Sequence, residues 1–175
     1  MNSRTKQMVY AALLTALAII IPIQFSFLRV YFPPFSATLA SHVPMFMAMF
    51  ISPFVAIIVG VGSTLGFFLT GLPLPIVVRA ATHILVGYIG AKIIQKNKNY
   101  VKAVVITAPI HGLAEALVVI PFVGFADYKF LVFMAGFIII HHTVDAIISF
   151  VIIKALARAR RKSIYNTFLE VKEAA

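Results

Sequence analysis

Residues 37–70 read ATLASHVPMFMAMFISPFVAIIVGVGSTLGFFLT, and the way this stretch folds decides the architecture of the whole chain. The stretch is apolar almost throughout, and it could form one long helix or two shorter ones. Pro44 and Pro53 interrupt it, and Ser52 with Pro53 resembles a turn, because the residue before a proline avoids helical geometry. We therefore predict two helices here, over 38–51 and 54–70.

The composition around this stretch is that of an integral membrane protein. Hydrophobic residues make up 62% of the 175 residues and charged residues only 11%, whereas soluble domains carry about 25% charged residues. Sixteen phenylalanines are more than a soluble core of this size can bury. Because a helix needs about 20 apolar residues to cross a bilayer, the chain has room for about six short spans. We predict an all-α membrane protein, a bundle of six transmembrane helices.

The positions of three basic clusters indicate whether the chain has five spans or six. They lie at the N-terminus (Arg4 and Lys6), between two later apolar runs (92–102) and near the C-terminus (158–162). Clusters of this kind stay on the cytoplasmic side of a membrane. Six spans place all three clusters there, with both termini cytoplasmic, and five do not. The predicted helices cover 7–28, 38–51, 54–70, 74–95, 102–122 and 129–157.

The same clusters account for the net charge of +10. Basic residues beside apolar runs indicate topology and contact with anionic lipids, so we expect no nucleic acid partner. The chain is predicted to be a multi-pass protein of the cell membrane, with one six-helix domain over 1–162 and a short polar cytoplasmic tail over 163–175. The predicted outer loops cover 29–37, 71–73 and 123–128, and the first is long enough to form a lid.

Three charged side chains lie well inside the predicted spans and are the candidates for function, because each costs about 2.5–3.5 kcal/mol to insert. Each has a histidine four residues away, and residues at that spacing share one helix face. The pairs are Arg79 with His83, His111 with Glu115, and His141 with Asp145. At 1.5 Å per residue, Arg79 lies about 8 Å and Glu115 about 10 Å below the outer ends of their helices. The last three helices should therefore converge on one pocket that opens outward.

These residues also have a structural interpretation. Arg79 and Glu115 could neutralise each other as a buried ion pair, since charges in membranes usually pair. Histidines in a helix bundle often serve as hydrogen-bonding partners between helices, and Asp145 could bind Lys154 or a backbone group. The functional interpretation rests on the convergence of the three pairs rather than on any single residue.

The predicted layout is a small chain with six spans, both termini inside and a long first outer loop. Four stretches stand out within it: 38–44 (TLASHVP), 51–53 (ISP), 62–67 (GSTLGF) and 79–83 (RAATH). This layout and these stretches resemble the substrate-binding S components of energy-coupling factor (ECF) vitamin transporters. Ala12 and Ala16 form a small-xxx-small face that is similar to the alanine motif by which S components dock on the shared transmembrane subunit.

The resemblance implies that the chain binds a vitamin from outside and is not an enzyme, with no catalytic residue, metal site or cofactor. Its implied partners are an ECF transmembrane coupling subunit and two ATPase subunits, and the chain itself lacks a phosphate-binding glycine loop. The implied pocket includes the first outer loop as well as the last three helices. The candidate substrate-binding residues are then Arg79, His83, His111, Glu115, His141, Tyr31 and Ser36.

The substrate can be narrowed by its chemistry. The guanidinium of Arg79 suits a carboxylate, and niacin and pantothenate are both carboxylate-bearing vitamins. The chain has no tryptophan to stack a flavin or a pterin, which favours a small acid such as niacin. Pyridoxine also stays a candidate substrate, because the acidic groups inside the spans could bind it.

Three other classes of function compete with this one. A transition-metal uptake component could use His83, His111, Glu115 and His141 as ligands, although Arg79 would repel a cation. A standalone secondary carrier usually has internal repeats, and this sequence has none. An intramembrane enzyme would need a motif such as HExxH or GxSxG, or a cysteine, and all of these are absent.

Overall fold

A computed structural model describes residues 3–32, 35–124 and 128–168. Within these ranges the chain forms six α-helices and one β-hairpin, so the prediction of six helices is confirmed. The helices are α1 (Ser3–Gln24), α2 (Val43–Met49), α3 (Pro53–Leu69), α4 (Leu74–Asn97), α5 (Tyr100–Val123) and α6 (Tyr128–Ala159). The strands β1 (Arg29–Phe32) and β2 (Phe35–Thr38) pair antiparallel, and a 3-10 turn over Ser26–Leu28 leads into β1.

The helices differ in whether they can cross a bilayer. Four of them, α1, α4, α5 and α6, are long and apolar enough to do so. The 17 residues of α3 make it about 25 Å long, slightly short of the hydrocarbon core. With only seven residues, α2 is about 10 Å long. The prediction of a continuous helix over 38–51 is therefore wrong, because Thr38 still belongs to β2 and residues 39–42 form a turn that delays the start of α2.

Tertiary contacts hold this turn. Ala40 has a left-handed φ of 68°, which costs an L-residue energy and stops a helix from passing through it. Asp145 of α6 accepts hydrogen bonds from the backbone N–H groups of Ala40 (2.8 Å) and His42 (3.0 Å). Non-helical backbone is tolerated at membrane depth only where protein surrounds it, and Ser41 and His42 are both buried.

The short α2 lies inside a ring of longer helices. Along the ring α1 packs on α3, α3 on α4, α4 on α5 and α5 on α6, while α2 contacts α1, α3, α4 and α6. The main apolar core forms around Phe46, Met49 and Phe50 at the end of α2. The contact between α1 and α3 is close because of Gly66, where a Cβ would lie only 2.7 Å from backbone atoms of Ala18 and Ile19.

The predicted first outer loop is the β-hairpin. All four residues of β2 are buried, so the hairpin lies against the bundle in the position expected of a lid. Arg29 anchors it, because its Nε donates to Thr38 Oγ1 (3.1 Å) and its Nη2 donates to the carbonyl of Pro22 in α1. Residues 125–127 of the predicted outer loop over 123–128 lie outside the described residues.

The chain folds back on itself after α6. Phe168 is buried in the main core, edge-on to the ring of Tyr10 in α1 at 5.2 Å between centroids. The hydroxyl of Tyr165 accepts a hydrogen bond from the N–H of Tyr100 at the start of α5 (3.1 Å). The first six residues of the predicted tail are therefore packed on the helical domain, and residues 169–175 lie outside the described part of the chain.

Candidate functional site

A narrow polar cavity lies between the hairpin and helices α4, α5 and α6. The space open to the centre of a water molecule is about 20 Å³, which is room for about one water. Phe67, Ile76 and Ile138 supply apolar wall. The polar lining consists of Ser36, Ser41, His42, Arg79, His83, Glu115 and His141.

Arg79 and Glu115 form a buried ion pair at this cavity. The Nε and Nη2 atoms of Arg79 lie 2.8 Å and 2.6 Å from Glu115 Oε2. Nη2 also donates to the backbone carbonyl of Ser36 in β2 (3.1 Å), and the guanidinium lies 5.1 Å from the ring centroid of Phe35. The ion pair between Arg79 and Glu115, which the sequence left open as one possibility, is therefore formed. Arg79 links α4 to α5 and to the hairpin.

The predicted histidines of α4 and α5 meet beside this ion pair. His111 Nε2 lies 3.1 Å from Glu115 Oε1, and the rings of His83 and His111 are 5.1 Å apart between centroids. His83 Nδ1 shares a hydrogen bond with Ser63 Oγ of α3 (2.8 Å). The spacing of four residues therefore does place a histidine and a charged group together on each helix.

His42 is the residue that the sequence did not assign. Its ring lies at the centre of the histidines, with centroids 4.7 Å, 4.8 Å and 4.5 Å from those of His83, His111 and His141. His42 could have been identified from its position in the sequence. It stands two residues before Pro44, in a break between two apolar runs. A polar residue in such a break is held near a site rather than exposed to lipid.

His142 completes the cluster from the other side of α6. Its Nδ1 lies 3.0 Å from His111 Nδ1, and its Nε2 lies 3.1 Å from Thr107 Oγ1 of α5. All five histidines of the chain are therefore buried in one region. His142 cannot share the helix face of His141, so it connects α6 to α5 instead of lining the cavity.

Asp145 supports the site without lining it. Besides the two backbone N–H groups of the turn, its Oδ2 atom lies 3.1 Å from His42 Nδ1 and 3.5 Å from His141 Nε2. Of the two partners considered from the sequence, the backbone group is the one observed. Lys154 instead lies over the ring of Phe150, at 5.2 Å from its centroid.

The cavity brings together most of the residues predicted from sequence. Ser36, Arg79, His83, Glu115 and His141 line it, and His111 lies directly behind Glu115. Ser36 Oγ is buried and has no hydrogen-bond partner among the described residues, so it can bind a polar ligand group. Tyr31 is not part of the cavity lining, because it is 46% exposed on β1.

The two alanines predicted for docking lie on the outside of α1. Ala12 and Ala16 are both exposed, whereas Ala11, Leu14 and Ala18 on the same helix face the main core. The pair is therefore not used for packing within the described part of the chain.

Comparison with known proteins identifies a relative of this chain. The chain is 34% identical to the niacin transporter NiaX of Lactococcus lactis subsp. cremoris (strain MG1363) over 160 residues, which cover 82% of this chain and 71% of the relative. No family model matches the chain, and no solved structure matches it significantly. The relative is a transporter and the helices are those of a multi-pass protein of the cell membrane. The chain belongs to the substrate-binding S components of ECF vitamin transporters.

Proposed function

We propose that this chain captures niacin from the outer side of the cell membrane and passes it to partner subunits for ATP-driven uptake. The relative of this chain is a niacin transporter, which supports the proposal. The proposal also assigns the cavity residues Ser36, Arg79, His83, Glu115 and His141 to the binding of the vitamin, with His111 behind them.

The observation that carries the proposal is Arg79, a buried guanidinium in the wall of a small cavity. Guanidinium groups bind carboxylates through paired, charge-assisted hydrogen bonds. Nicotinate offers one carboxylate on a flat aromatic ring, and the surrounding walls are the rings of His42, His83 and Phe67. Because the cavity has room for about one water, the hairpin has to move outward for the vitamin to enter.

The test is to identify the bound compound and measure its affinity. Mass spectrometry on small molecules released from the purified, denatured protein should detect niacin. Calorimetry should give tighter binding for niacin than for pantothenate, which has a carboxylate but no aromatic ring. Tighter binding of pantothenate, or release of pantothenate alone, would contradict the niacin assignment while leaving the carboxylate site in place.

The proposed partners are an ECF transmembrane coupling subunit and two ATPase subunits. The chain has no phosphate-binding glycine loop in its sequence, so the energy for uptake has to come from another subunit. The chain itself binds and releases the vitamin without chemical change and is not an enzyme. Its docking surface is the exposed face of α1 around Ala12 and Ala16, where small side chains let a partner helix approach closely.

Enlarging this face should separate uptake from binding. We expect Ala12→Leu and Ala16→Leu to reduce uptake in cells to background, because a larger side chain holds the partner helix away. Niacin binding by the isolated chain should stay within about twofold. Ala155→Leu, at an exposed alanine on α6, is the matched control and should leave uptake unchanged. Loss of niacin binding in the α1 variants would show that this face serves the fold instead.

We also propose that both termini lie in the cytoplasm, as the basic clusters require. The chain has no cysteine, so single cysteines can report on topology without background. In intact cells, a membrane-impermeant maleimide should label Phe27→Cys, at a position that is 76% exposed near the hairpin, and should not label Lys98→Cys between α4 and α5. Labelling of Lys98→Cys from outside would reverse the assigned orientation.

A further inference from the structure

Three buried histidines from separate elements surround one point beside the cavity. His42 comes from the turn before α2, His83 from α4 and His111 from α5. Their ring centroids are mutually 4.7 Å, 4.8 Å and 5.1 Å apart. One nitrogen from each ring and one oxygen of Glu115 all lie within 4.8 Å of one another. These four side chains are therefore close enough to converge on one ion.

Two of the three rings are held in place through a hydrogen bond at Nδ1. His83 Nδ1 bonds to Ser63 Oγ (2.8 Å) and His111 Nδ1 lies 3.0 Å from His142 Nδ1. His42 Nδ1 lies 3.1 Å from Asp145 Oδ2, although the angle falls outside hydrogen-bond geometry. Histidines that bind metals are oriented in this way, with one nitrogen on a neighbouring polar group and the other on the ion.

The Nε2 atom of His111 supplies a second, independent observation. It is fully buried and makes no hydrogen bond with a described residue, although Glu115 Oε1 is only 3.1 Å away. A buried polar atom without a hydrogen bond is costly and rare, and an ion that it would bind is one explanation. A buried imidazole nitrogen without a hydrogen bond, 3.1 Å from a carboxylate oxygen, fits two ligands of a common ion.

We infer that His42, His83 and His111 bind one divalent transition-metal ion such as Zn²⁺ through Nε2, with Glu115 Oε1 as the fourth ligand. In a tetrahedral site with Zn–N distances of about 2.0–2.1 Å, ligand atoms lie about 3.3 Å apart and imidazole centroids about 5 Å apart. The observed centroids already meet this value, so each ligand atom moves inward by less than about 1 Å. Three imidazoles and a carboxylate form a set that suits zinc and its neighbours rather than Mg²⁺ or Ca²⁺.

The charges in the region explain what the ion would do, on the condition that the proposed function holds. With the imidazoles neutral, Arg79, Glu115 and Asp145 sum to a charge of −1 in a buried site. An anionic vitamin entering such a site would meet a net charge of its own sign. A divalent ion makes the sum +1, and Glu115 can bind it through Oε1 while Oε2 stays on Arg79. The repulsion that the sequence predicts between Arg79 and a cation is thereby offset by Glu115.

The test uses the metal alone, without any vitamin, on the full chain in detergent after treatment with a chelator. Titration with CoCl₂ should give one Co²⁺ per chain with the strong visible absorption of a tetrahedral site, and ZnSO₄ should displace it. X-ray absorption of the Co²⁺ form of the wild type should show four nitrogen or oxygen ligands at about 2.0–2.1 Å. His83→Asn should weaken Co²⁺ binding at least about 100-fold, because the loss of even an outer-shell partner costs 10–100-fold.

His141→Asn is the matched control, since it removes another buried histidine of the same cluster that is not one of the three ligands. It should leave Co²⁺ affinity within a few-fold. Absence of stoichiometric Co²⁺ and Zn²⁺ binding by folded wild-type protein would overturn the inference. Loss of binding in His141→Asn with retention in His83→Asn would also overturn it, because the ion would then lie between His42, His141 and Asp145. Calorimetry with niacin tests the proposed function by a separate measurement, so failure of the metal titration and failure of niacin binding are distinguishable.

Discussion

Replacement of Arg79 by alanine should weaken niacin binding by about 30-fold to several thousand-fold. The loss of a charge-assisted contact in a buried site costs about 2–5 kcal/mol, and 1.4 kcal/mol corresponds to a factor of ten. Arg79→Lys keeps the charge but loses the planar fork, so it should recover only part of the affinity. Calorimetry with niacin on the wild type and the two variants is the measurement.

The ion pair with Glu115 makes a second variant necessary. Arg79→Ala leaves a carboxylate buried without its partner, and breaking a buried pair is strongly destabilising. Arg79→Ala/Glu115→Ala removes both charges and should restore the thermal stability without restoring niacin affinity. If the double variant binds niacin as tightly as the wild type, the pair serves the fold alone. Unchanged affinity in folded Arg79→Ala would likewise remove the reason to assign a carboxylate substrate.

Replacement of Asp145 by alanine should destabilise the protein by about 2–6 kcal/mol. The variant leaves the backbone N–H groups of Ala40 and His42 buried without an acceptor, and each such group costs about 1–3 kcal/mol. Asp145→Asn keeps one acceptor oxygen and should lose about half as much. Thermal unfolding in detergent, followed by circular dichroism at helical wavelengths, measures the difference.

Thr143→Ala is the control on the same helix. Thr143 is exposed and its hydroxyl donates to the carbonyl of Ile139 within α6, so this variant should stay within about 0.5 kcal/mol of the wild type. An Asp145→Ala protein as stable as Thr143→Ala would mean that other contacts hold the turn over 39–42. Niacin affinity should fall with Asp145→Ala as well, because His42 loses its position in the cavity wall.

The sequence predicted the helices well where local signals define their ends. The break at Ser52 and Pro53 is real, since Ser52 caps α3 by accepting a hydrogen bond from the N–H of Val55 (3.2 Å). The second helix could not be predicted in the same way. The apolar run from 38 to 51 has a helical composition, but the left-handed Ala40 is stabilised by a carboxylate 105 residues further along the chain. No local pattern contains that contact.

The site residues also fall into those that local patterns predict and those that they do not. Arg79, Glu115 and their histidines could be predicted because a spacing of four residues fixes which side chains share a helix face. His42 could not, because its place depends on the turn rather than on a helix face. Tyr31 is a candidate from sequence because it lies in the first outer loop. In the structure it is exposed, whereas its strand partner Ser36 lines the cavity. The family resemblance identifies the loop but not which of its residues face inward.

The bonds from Ala40 and His42 to Asp145 also set an order for membrane insertion. The ribosome adds about 5–20 residues per second, so Asp145 is synthesised roughly 5–20 s after the turn that it stabilises. Until α6 arrives, residues 39–42 hold two N–H groups that lipid cannot satisfy. The segment that contains α2 therefore has to wait beside the translocation channel or at the membrane surface. A nascent chain that ends before Asp145 should keep this segment accessible to protease, and the completed chain should protect it.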